Sequence, residues 1–334
     1  MKAGRSRPAE TERVAAAVID VEGASAPLLI AALASASRRV PAVVHARMPR
    51  ATGDAVQALD AIVRDLVAAG RMPQARAATA RAAVQIMDAP AASTLRLVDA
   101  PFGDAASGVL LLADAEVVVP AGWVGVRALP DLLAATVVEV VRGSGSDAAH
   151  ASRVYDWLQQ LGKTPIAISD APAGFLARLG RAAGAEGLAL CREGFAPALV
   201  ENASLQAGMA AGALTLAQRF GLGRPSEAIS GHQSSQPLVQ VREIRERLLF
   251  IQALEALRCL DEAVVASARD ANLAALQGLG FPAWTGGAIQ YANHYGLGRF
   301  CERSDALAAR HGHRFAPPAL LRRMVADRAL AVEP

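Results

Sequence analysis

Residues Gly278–Gly287 read GLGFPAWTGG, the most distinctive stretch of the sequence. Gly278 and Gly280 permit backbone turns that a side chain would obstruct. Pro282 fixes the backbone φ where the chain leaves the turn. The glycine pair at the end of the stretch allows a neighbouring helix or backbone segment to approach closely. We therefore predict a tight turn in a helical region, with residue types that are set by packing.

The sequence around this stretch is helical in pattern. From Phe175 to the C-terminus, apolar residues recur at helical spacing and are punctuated by Gly and Pro. Residues 225–237 are polar and carry a Pro at either end, which is typical of a linker. We predict a first helical module at 173–224, a linker at 225–237 and a second helical module at 238–330.

The predicted first domain, residues 11–172, has a different pattern. Apolar strand-like runs alternate with Ala-rich helical stretches in residues 11–143, and one helix and one last strand follow. This alternation predicts an open α/β sheet of the doubly wound type. The predicted strands are Val14–Ile19, Pro41–Val44, Leu95–Val98, Val109–Leu112, Val117–Val119, Val137–Val141 and Pro165–Ile168. The predicted helices are Leu28–Ser37, Ala55–Ala69, Ala75–Met87 and Ala148–Leu161.

The composition favours a globular protein and argues against a nucleic-acid-binding or a membrane-spanning protein. Of the 334 residues, 53% are hydrophobic and 19% are charged, which indicates a globular protein with a large core. The net charge of +3 and the lack of a basic, aromatic-rich block argue against nucleic-acid binding. The most apolar run, Ala106–Val126, is interrupted by two carboxylates and a proline, so we expect no membrane span. The scattered cysteines, Cys191, Cys259 and Cys301, are typical of a cytoplasmic protein with reduced thiols.

Three segments resemble the 3-hydroxyacyl-CoA dehydrogenases, in particular the dehydrogenase portion of bacterial multifunctional fatty-acid oxidation proteins. They are VVEVVRG at Val137–Gly143, LGKTPIAISDAPAGF at Leu161–Phe175, and the long segment Leu257–Gly287 that ends in GLGFPAWTGG. The resemblance implies a Rossmann-like NAD domain followed by two helical modules that dimerise, or mimic a dimer within one chain, and close over an acyl-CoA. It also implies a His general base that is held by a Glu, and an active-site Asn.

The first positions that depart from the family pattern belong to its GxGxxG loop, which lets the backbone approach the NAD diphosphate. Asp20 and Glu22 stand at the first two glycines, and Ser25 stands at the third. Two carboxylates would repel a diphosphate and fill the space that it needs. Ala46 stands where an acid would hold the adenine ribose. We therefore expect no bound cofactor.

The proton-transfer residues also differ from the family pattern. Arg127 stands at the position of the family His, twelve residues before Glu139, and Arg178 stands at the position of the Asn. A guanidinium stays protonated and cannot act as a general base. Glu139 is the one catalytic-type residue that is retained, and we expect it to form a salt bridge with Arg127 or Arg142. The sequence thus describes a degenerate Rossmann-like domain.

Three functional hypotheses remain open. The first is a catalytically impaired homologue that serves as a structural or acyl-CoA-binding subunit, oligomeric with itself or with other acyl-CoA enzymes. The second is an active NAD-dependent 3-hydroxyacyl-CoA dehydrogenase with an atypical site. The third is an unrelated enzyme that uses Asp20 and Glu22, placed on a turn, as acid and base. No metal site is expected, because His311 and His313 lack an evident carboxylate or Cys partner and we expect all six histidines in loops or on the surface.

Overall fold

The computed structural model describes residues 19–22, 25–40, 42–45, 51–87, 95–98, 108–112, 118–171, 173–225, 237–329 and 331–332. The chain divides into two compact units. The first comprises Met1–Ala113 with Val119–Pro165, and the second comprises Asp114–Val118 with Ile166–Pro334. The finer division that the sequence predicts, with a boundary at residue 172 and two helical modules, stays a prediction.

Within the described residues, eight strands form one sheet in the order β3-β2-β1-β4-β5-β6-β7-β8. The strands are β1 Ile19–Glu22, β2 Ala42–His45, β3 Val84–Met87, β4 Leu95–Val98, β5 Val109–Leu111, β6 Val124–Ala128, β7 Val137–Arg142 and β8 Thr164–Ile168. All the pairs from β3 across to β6 are parallel, and β7 runs antiparallel to β6. The strand order reverses beside β1, as in doubly wound folds. The predicted α/β class is confirmed.

The helices of the first unit cover the sheet with apolar side chains. They are α1 Ala26–Ala36, α2 Ala51–Ala68, α3 Gln74–Ala83 and α4 Ala148–Gln160. In α1 every residue from Ala31 to Ala36 is buried, as expected of a helix that is apolar on all sides. The indole N–H of Trp157 donates to the buried hydroxyl of Ser35, which ties α4 to α1 at 3.2 Å. Asp147 caps α4 by accepting the Ala149 N–H at 3.0 Å.

Two predictions of secondary-structure elements, one helix and one strand, are wrong. The predicted helix Ala75–Met87 ends at Ala83, because the β-branched Val84 and Ile86 enter a strand that pairs with β2. The predicted strand Val117–Val119 is wrong for Val118 and Val119, which lie outside any strand. Strand β6, which pairs with both β5 and β7, was not predicted. Residues 14–18 of the first predicted strand lie outside the described residues.

The second unit is helical. Its helices are α5 Gly174–Arg192, α6 Pro197–Gln206, α7 Ala213–Arg219, α8 Pro237–Asp261, α9 Ala268–Ala274, α10 Ala288–Tyr295, α11 Leu297–His311 and α12 Ala319–Ala326. Helix α5 packs against both α7 and α8. Gly184 permits this packing, because a Cβ there would lie 2.7 Å from the Ala217 backbone. The predicted linker falls almost wholly outside the described residues, and α8 begins at its last residue.

Candidate functional site

Arg127 and Glu139 lie directly opposite each other on the antiparallel strands β6 and β7. Neighbouring strands bring such cross-strand partners within side-chain reach. A guanidinium nitrogen (Nη1) of Arg127 donates to Oε2 of Glu139 at 3.3 Å. The expected ion pair of Glu139 is present, and its basic partner is Arg127. The other candidate arginine, Arg142, donates to Ser146, through Nη2 to the carbonyl at 3.1 Å.

The Arg127–Glu139 pair is buried, with 4% of Arg127 and none of Glu139 exposed. The Nε atom of Arg127 is also buried, and it has no hydrogen-bond partner in the described part of the chain. A charge-assisted hydrogen bond in such a place fixes the carboxylate against the guanidinium. Because a guanidinium donates only and does not give up its proton, Arg127 itself cannot take a proton from a substrate hydroxyl.

The β1–α1 segment places the residues that stand at the family's glycine positions. Strand β1 continues through Asp20 to Glu22: Asp20 pairs with both β2 and β4, and Glu22 pairs with His45 of β2. The prediction that they sit on a turn is therefore wrong, because backbone pairing extends the strand to Glu22. The third hypothesis placed both carboxylates on a turn, and they lie in strand β1 instead. Ala46 lies outside the described residues.

The start of α1 follows directly from Ser25. Its extended backbone, with φ −68° and ψ 151°, makes it the N-cap residue. Its hydroxyl makes no cap hydrogen bond and is buried without a partner in the described chain. Pro27 occupies the second helical position and has no N–H to donate. A helix N-terminus binds phosphate through such N–H groups, so the start of α1 fits a dinucleotide diphosphate poorly.

Arg178, at the position of the family Asn, lies in α5 and makes ion pairs within the second unit. Its Nε donates to Glu255 at 2.7 Å, and a terminal nitrogen donates to Glu262. Burial opposes the charge of Arg178, but its hydrogen bonds to these carboxylates outweigh burial and hold its pKa above the ordinary range. Both partners lie on α8 or directly after it. Arg178 thus joins two packed helices, and its role as a site residue stays a prediction.

A buried ionic cluster in the second unit was not predicted from the sequence. Arg247 is fully buried, and it donates to Glu186 on α5 at 2.7 Å and to Glu193 at 2.7 Å. Arg314 donates to the second oxygen of Glu186. The ring of His311 lies 3.6–3.8 Å from carboxylate oxygens and is 7% exposed, so its prediction as a surface residue is wrong. Buried charges persist only when they are paired in this way.

Burial and the charge of Arg247 hold the pKa of His311 below its ordinary value, although Glu193 acts in the opposite sense. Helical periodicity alone could not find this cluster, because its members are far apart in sequence. His150 is also buried, with Nε2 3.3 Å from the carbonyl of Gly108. Among the described residues, no group of His, Cys, Asp or Glu is placed to hold a metal ion. No helix in the described ranges is long and apolar enough for a membrane span.

The stretch Gly278–Gly287 is a compact turn that needs its glycines. Gly280 ends a short π-helical turn with φ 75°, and a Cβ there would lie 2.2 Å from Ala210. Gly287 has φ 125°, and a Cβ would lie 2.4 Å from Asn272. The Asn272 side chain accepts the N–H groups of Ile289 and Gln290, so it caps α10. Gly278 lies within the short π-helix Ala275–Leu279, and a Cβ there would lie 2.7 Å from the Leu176 side chain.

No protein-family model matches the chain. A segment of 85 residues is 39% identical to the fatty acid oxidation complex subunit alpha of Shewanella amazonensis. The segment is 25% of this chain and spans only 12% of the length of that relative.

Two solved structures share the fold. The crystal structure of 3-hydroxybutyryl-CoA dehydrogenase from Escherichia coli K12 has a TM-score of 0.67 at 14% identity, covering 94% of this chain and 99% of its own. The dehydrogenase part of multifunctional enzyme 1 from C. elegans has a TM-score of 0.68 at 12% identity, covering 92% and 89%. The resemblance to the 3-hydroxyacyl-CoA dehydrogenases and to fatty-acid oxidation proteins is therefore confirmed, and this chain has the fold of those dehydrogenases.

Proposed function

We propose that this protein is a non-catalytic homologue of the 3-hydroxyacyl-CoA dehydrogenases, and that it acts as a structural or acyl-CoA-binding subunit in acyl-CoA metabolism. The observation that carries the proposal is the buried ion pair of Arg127 with Glu139. The dehydrogenation needs a base beside the substrate hydroxyl as hydride leaves. An arginine that is buried against a carboxylate cannot serve as that base.

The proposed loss of catalysis is supported in two further regions, the β1–α1 segment and α5. Asp20 and Glu22 continue a strand where the family pattern needs glycines, and Pro27 removes a donor from the first turn of α1. Arg178 is held by two carboxylates and stands where the family has a neutral amide. We therefore propose that the protein binds no NAD cofactor and carries out no hydride transfer.

The retained helical unit supports a partner-binding role. The relative from Shewanella amazonensis is named as a subunit of a fatty acid oxidation complex. By analogy we propose that this protein forms homo-oligomers or assembles with other acyl-CoA enzymes in the cytoplasm. A protein that keeps the packing of a dehydrogenase without its base is suited to holding a partner or an acyl-CoA rather than to oxidising one.

The test is a titration of the purified full-length chain with NADH and, separately, with acetoacetyl-CoA, followed by calorimetry and by NADH absorbance. We expect binding of the acyl-CoA without oxidation of NADH. A matched assay adds a known dehydrogenase to the same solution, which must oxidise NADH and so proves that the reagents are competent. NADH oxidation by this protein alone, at a rate that depends on acyl-CoA, would support the second hypothesis, an active dehydrogenase with an atypical site.

The oligomer proposal has its own test, in which the protein is expressed at natural level with an affinity tag and isolated with its partners. Co-purification of a thiolase or hydratase, or a stable homo-oligomer by light scattering, is the expected result. A stable lone monomer that carries no partner would contradict the subunit role.

A further inference from the structure

A basic pocket lies in the first unit. Its charged lining comes from Arg38, Arg71, Arg76 and Lys163, and its volume is about 110 Å³. Arg38 follows α1, Arg71 and Arg76 lie on the stretch that joins α2 to the start of α3, and Lys163 precedes β8. Leu133 adds a fourth chain segment to the lining. Small-molecule cofactor sites have about 300–1,000 Å³. The basic pocket therefore has room for a single small group and not for a whole nucleotide.

The cations of the basic pocket are poorly neutralised. Among the described residues that line it or touch its lining, Asp131 is the acidic partner, and it pairs with Arg71. Arg76 donates to the hydroxyl of Ser37 at 3.2 Å, and Lys163 donates to two backbone carbonyls, those of Leu133 and Ala135. None of these neutral acceptors cancels a charge. Four cations therefore face one carboxylate.

The pKa of Lys163 reflects the repulsion between the cations of the basic pocket. Burial, followed by the charges of Arg38 and Arg76, holds the pKa of Lys163 below its ordinary value, and Asp131 only partly offsets them. The floor of the pocket includes Met72 and Leu161, each 2% exposed. An apolar floor lowers the local dielectric, so charges at the pocket interact more strongly than in open solvent. An anion would relieve this repulsion.

We propose that the basic pocket is a binding site for a phosphate group. Arginine forks match the oxygen spacing of phosphate and can bind it through paired hydrogen bonds. Arg38 and Arg76 line the pocket and are exposed to solvent, and within the described chain Arg38 makes no ion pair. Lys163 supplies a point charge at the floor. The phosphate is either the free ion or the terminal phosphate of a larger molecule whose remainder stays outside.

The test measures the melting temperature and the calorimetric affinity of the full-length protein in inorganic phosphate, with chloride at equal ionic strength as the reference. Selective binding to the folded state raises the melting temperature by mass action. We expect phosphate, but not chloride, to raise it. The double variant Arg38→Gln/Arg76→Gln should weaken phosphate binding by at least roughly tenfold, because it removes charge-assisted hydrogen bonds.

Two further variants keep the result interpretable. Arg299→Gln removes an exposed charge in the second unit and should leave phosphate affinity unchanged. Lys163→Met removes the charge at the floor and should also weaken binding. Equal melting temperatures in phosphate and chloride, with no response to CoA, would overturn the proposal, as would an equal phosphate response in wild type and the double variant.

Two more ligands, CoA and dephospho-CoA, distinguish a free phosphate ion from the phosphate of a larger molecule. They differ only in the 3′-phosphate. Stabilisation by inorganic phosphate, with no advantage for CoA, identifies the free ion. Tighter binding of CoA than of dephospho-CoA, lost in the Arg38→Gln/Arg76→Gln variant, identifies the terminal phosphate of a nucleotide. Failure of acyl-CoA binding in the titration with acetoacetyl-CoA would leave the inorganic phosphate result intact, so the two proposals fail separately.

Discussion

The segment before α1 and the turn before α10 both require glycines in the family pattern, but only the second retains them. Gly280 and Gly287 have backbone angles and neighbours that exclude a side chain, so the fold itself demands them. Between β1 and α1, Asp20, Glu22 and Ser25 form a strand end and a helix cap without those glycines. Glycines that packing requires are retained here, whereas glycines that a bound diphosphate would require are not.

The largest effect is expected at Gly287. The substitution Gly287→Ala forces a side chain into a backbone region that is open essentially to glycine alone, and it pushes the cap residue Asn272 off α10. We expect a loss of about 4 kcal/mol in the free energy of unfolding, from strain and overpacking together. Urea denaturation of wild type and variant measures this difference in the free energy of unfolding.

Gly298→Ala is the matched control, because Gly298 lies in α11 and a Cβ added there would meet nothing within 4 Å. This substitution should leave stability unchanged or slightly raised. A Gly287→Ala protein as stable as wild type would remove the contrast between the two turns.

The second effect concerns the Arg127–Glu139 pair. Arg127→Met leaves a fully buried carboxylate without its arginine and should cost about 3 kcal/mol in the free energy of unfolding. The double variant Arg127→Met/Glu139→Gln should regain part of that loss, because the stranded charge is gone. The exposed pair of Arg322 and Asp305 is the control, and Arg322→Ala should leave the urea midpoint unchanged. Equal losses in the single and double variants would contradict a buried charge pair.

A smaller effect is expected at Arg178. Restoring the family residue with Arg178→Asn removes contacts to Glu255 and Glu262, and should cost roughly 1–2 kcal/mol in the free energy of unfolding. Arg181→Asn, an exposed position on the same helix, controls for the helix propensity of Asn. Neither variant should oxidise NADH. NADH oxidation by Arg178→Asn would indicate that the catalytic machinery is intact apart from this one residue.

The smallest effect is a pH dependence in the helical unit. The pKa of His311 is held below its ordinary value near 6.5 by burial and by Arg247, so the folded state favours the neutral ring. Stability is therefore fully present above about pH 6.5 and is lost as the pH falls, because the unfolded chain takes up the proton first. We expect the urea midpoint of wild type to fall more than that of His311→Gln between about pH 7.5 and about pH 5.5.

The pKa of Glu193 is also lowered, by Arg247 against the effect of burial, but its ordinary value is 4.5, so its own loss of stability lies below that pH range. Parallel pH profiles for wild type and His311→Gln would contradict the assignment of the effect to His311.

Much of the fold could be predicted from the sequence, because hydrophobic periodicity reports which face of an element is buried. The alternation in residues 11–143 predicted the sheet, and the turn glycines predicted a close-packed segment. The strand Val84–Met87 was missed because its apolar residues also fit the preceding helical period. The extension of β1 to Glu22 comes from pairing with His45 of β2, which a single strand's sequence does not encode.

In the site, the pairing of Glu139 with an arginine was expected from the family resemblance, whereas the strand register that produces it was not, because β6 was missed. Arg127 and Glu139 are twelve residues apart and meet because β6 and β7 form an antiparallel pair. The cluster around Arg247 joins α5, α8, the end of α11 and Arg314, at separations that no local pattern records. The basic pocket is likewise assembled from four segments, each of which reads alone as a solvated surface.

The central claim is that the first unit keeps the dehydrogenase fold without its cofactor chemistry. Its most direct test is an NADH titration of the wild-type protein followed by nicotinamide fluorescence. An active 3-hydroxyacyl-CoA dehydrogenase serves as the positive control under the same conditions. We predict no saturable change in fluorescence, because carboxylates and a proline replace the features that hold a diphosphate. Saturable NADH binding, competed by NAD, would contradict the claim.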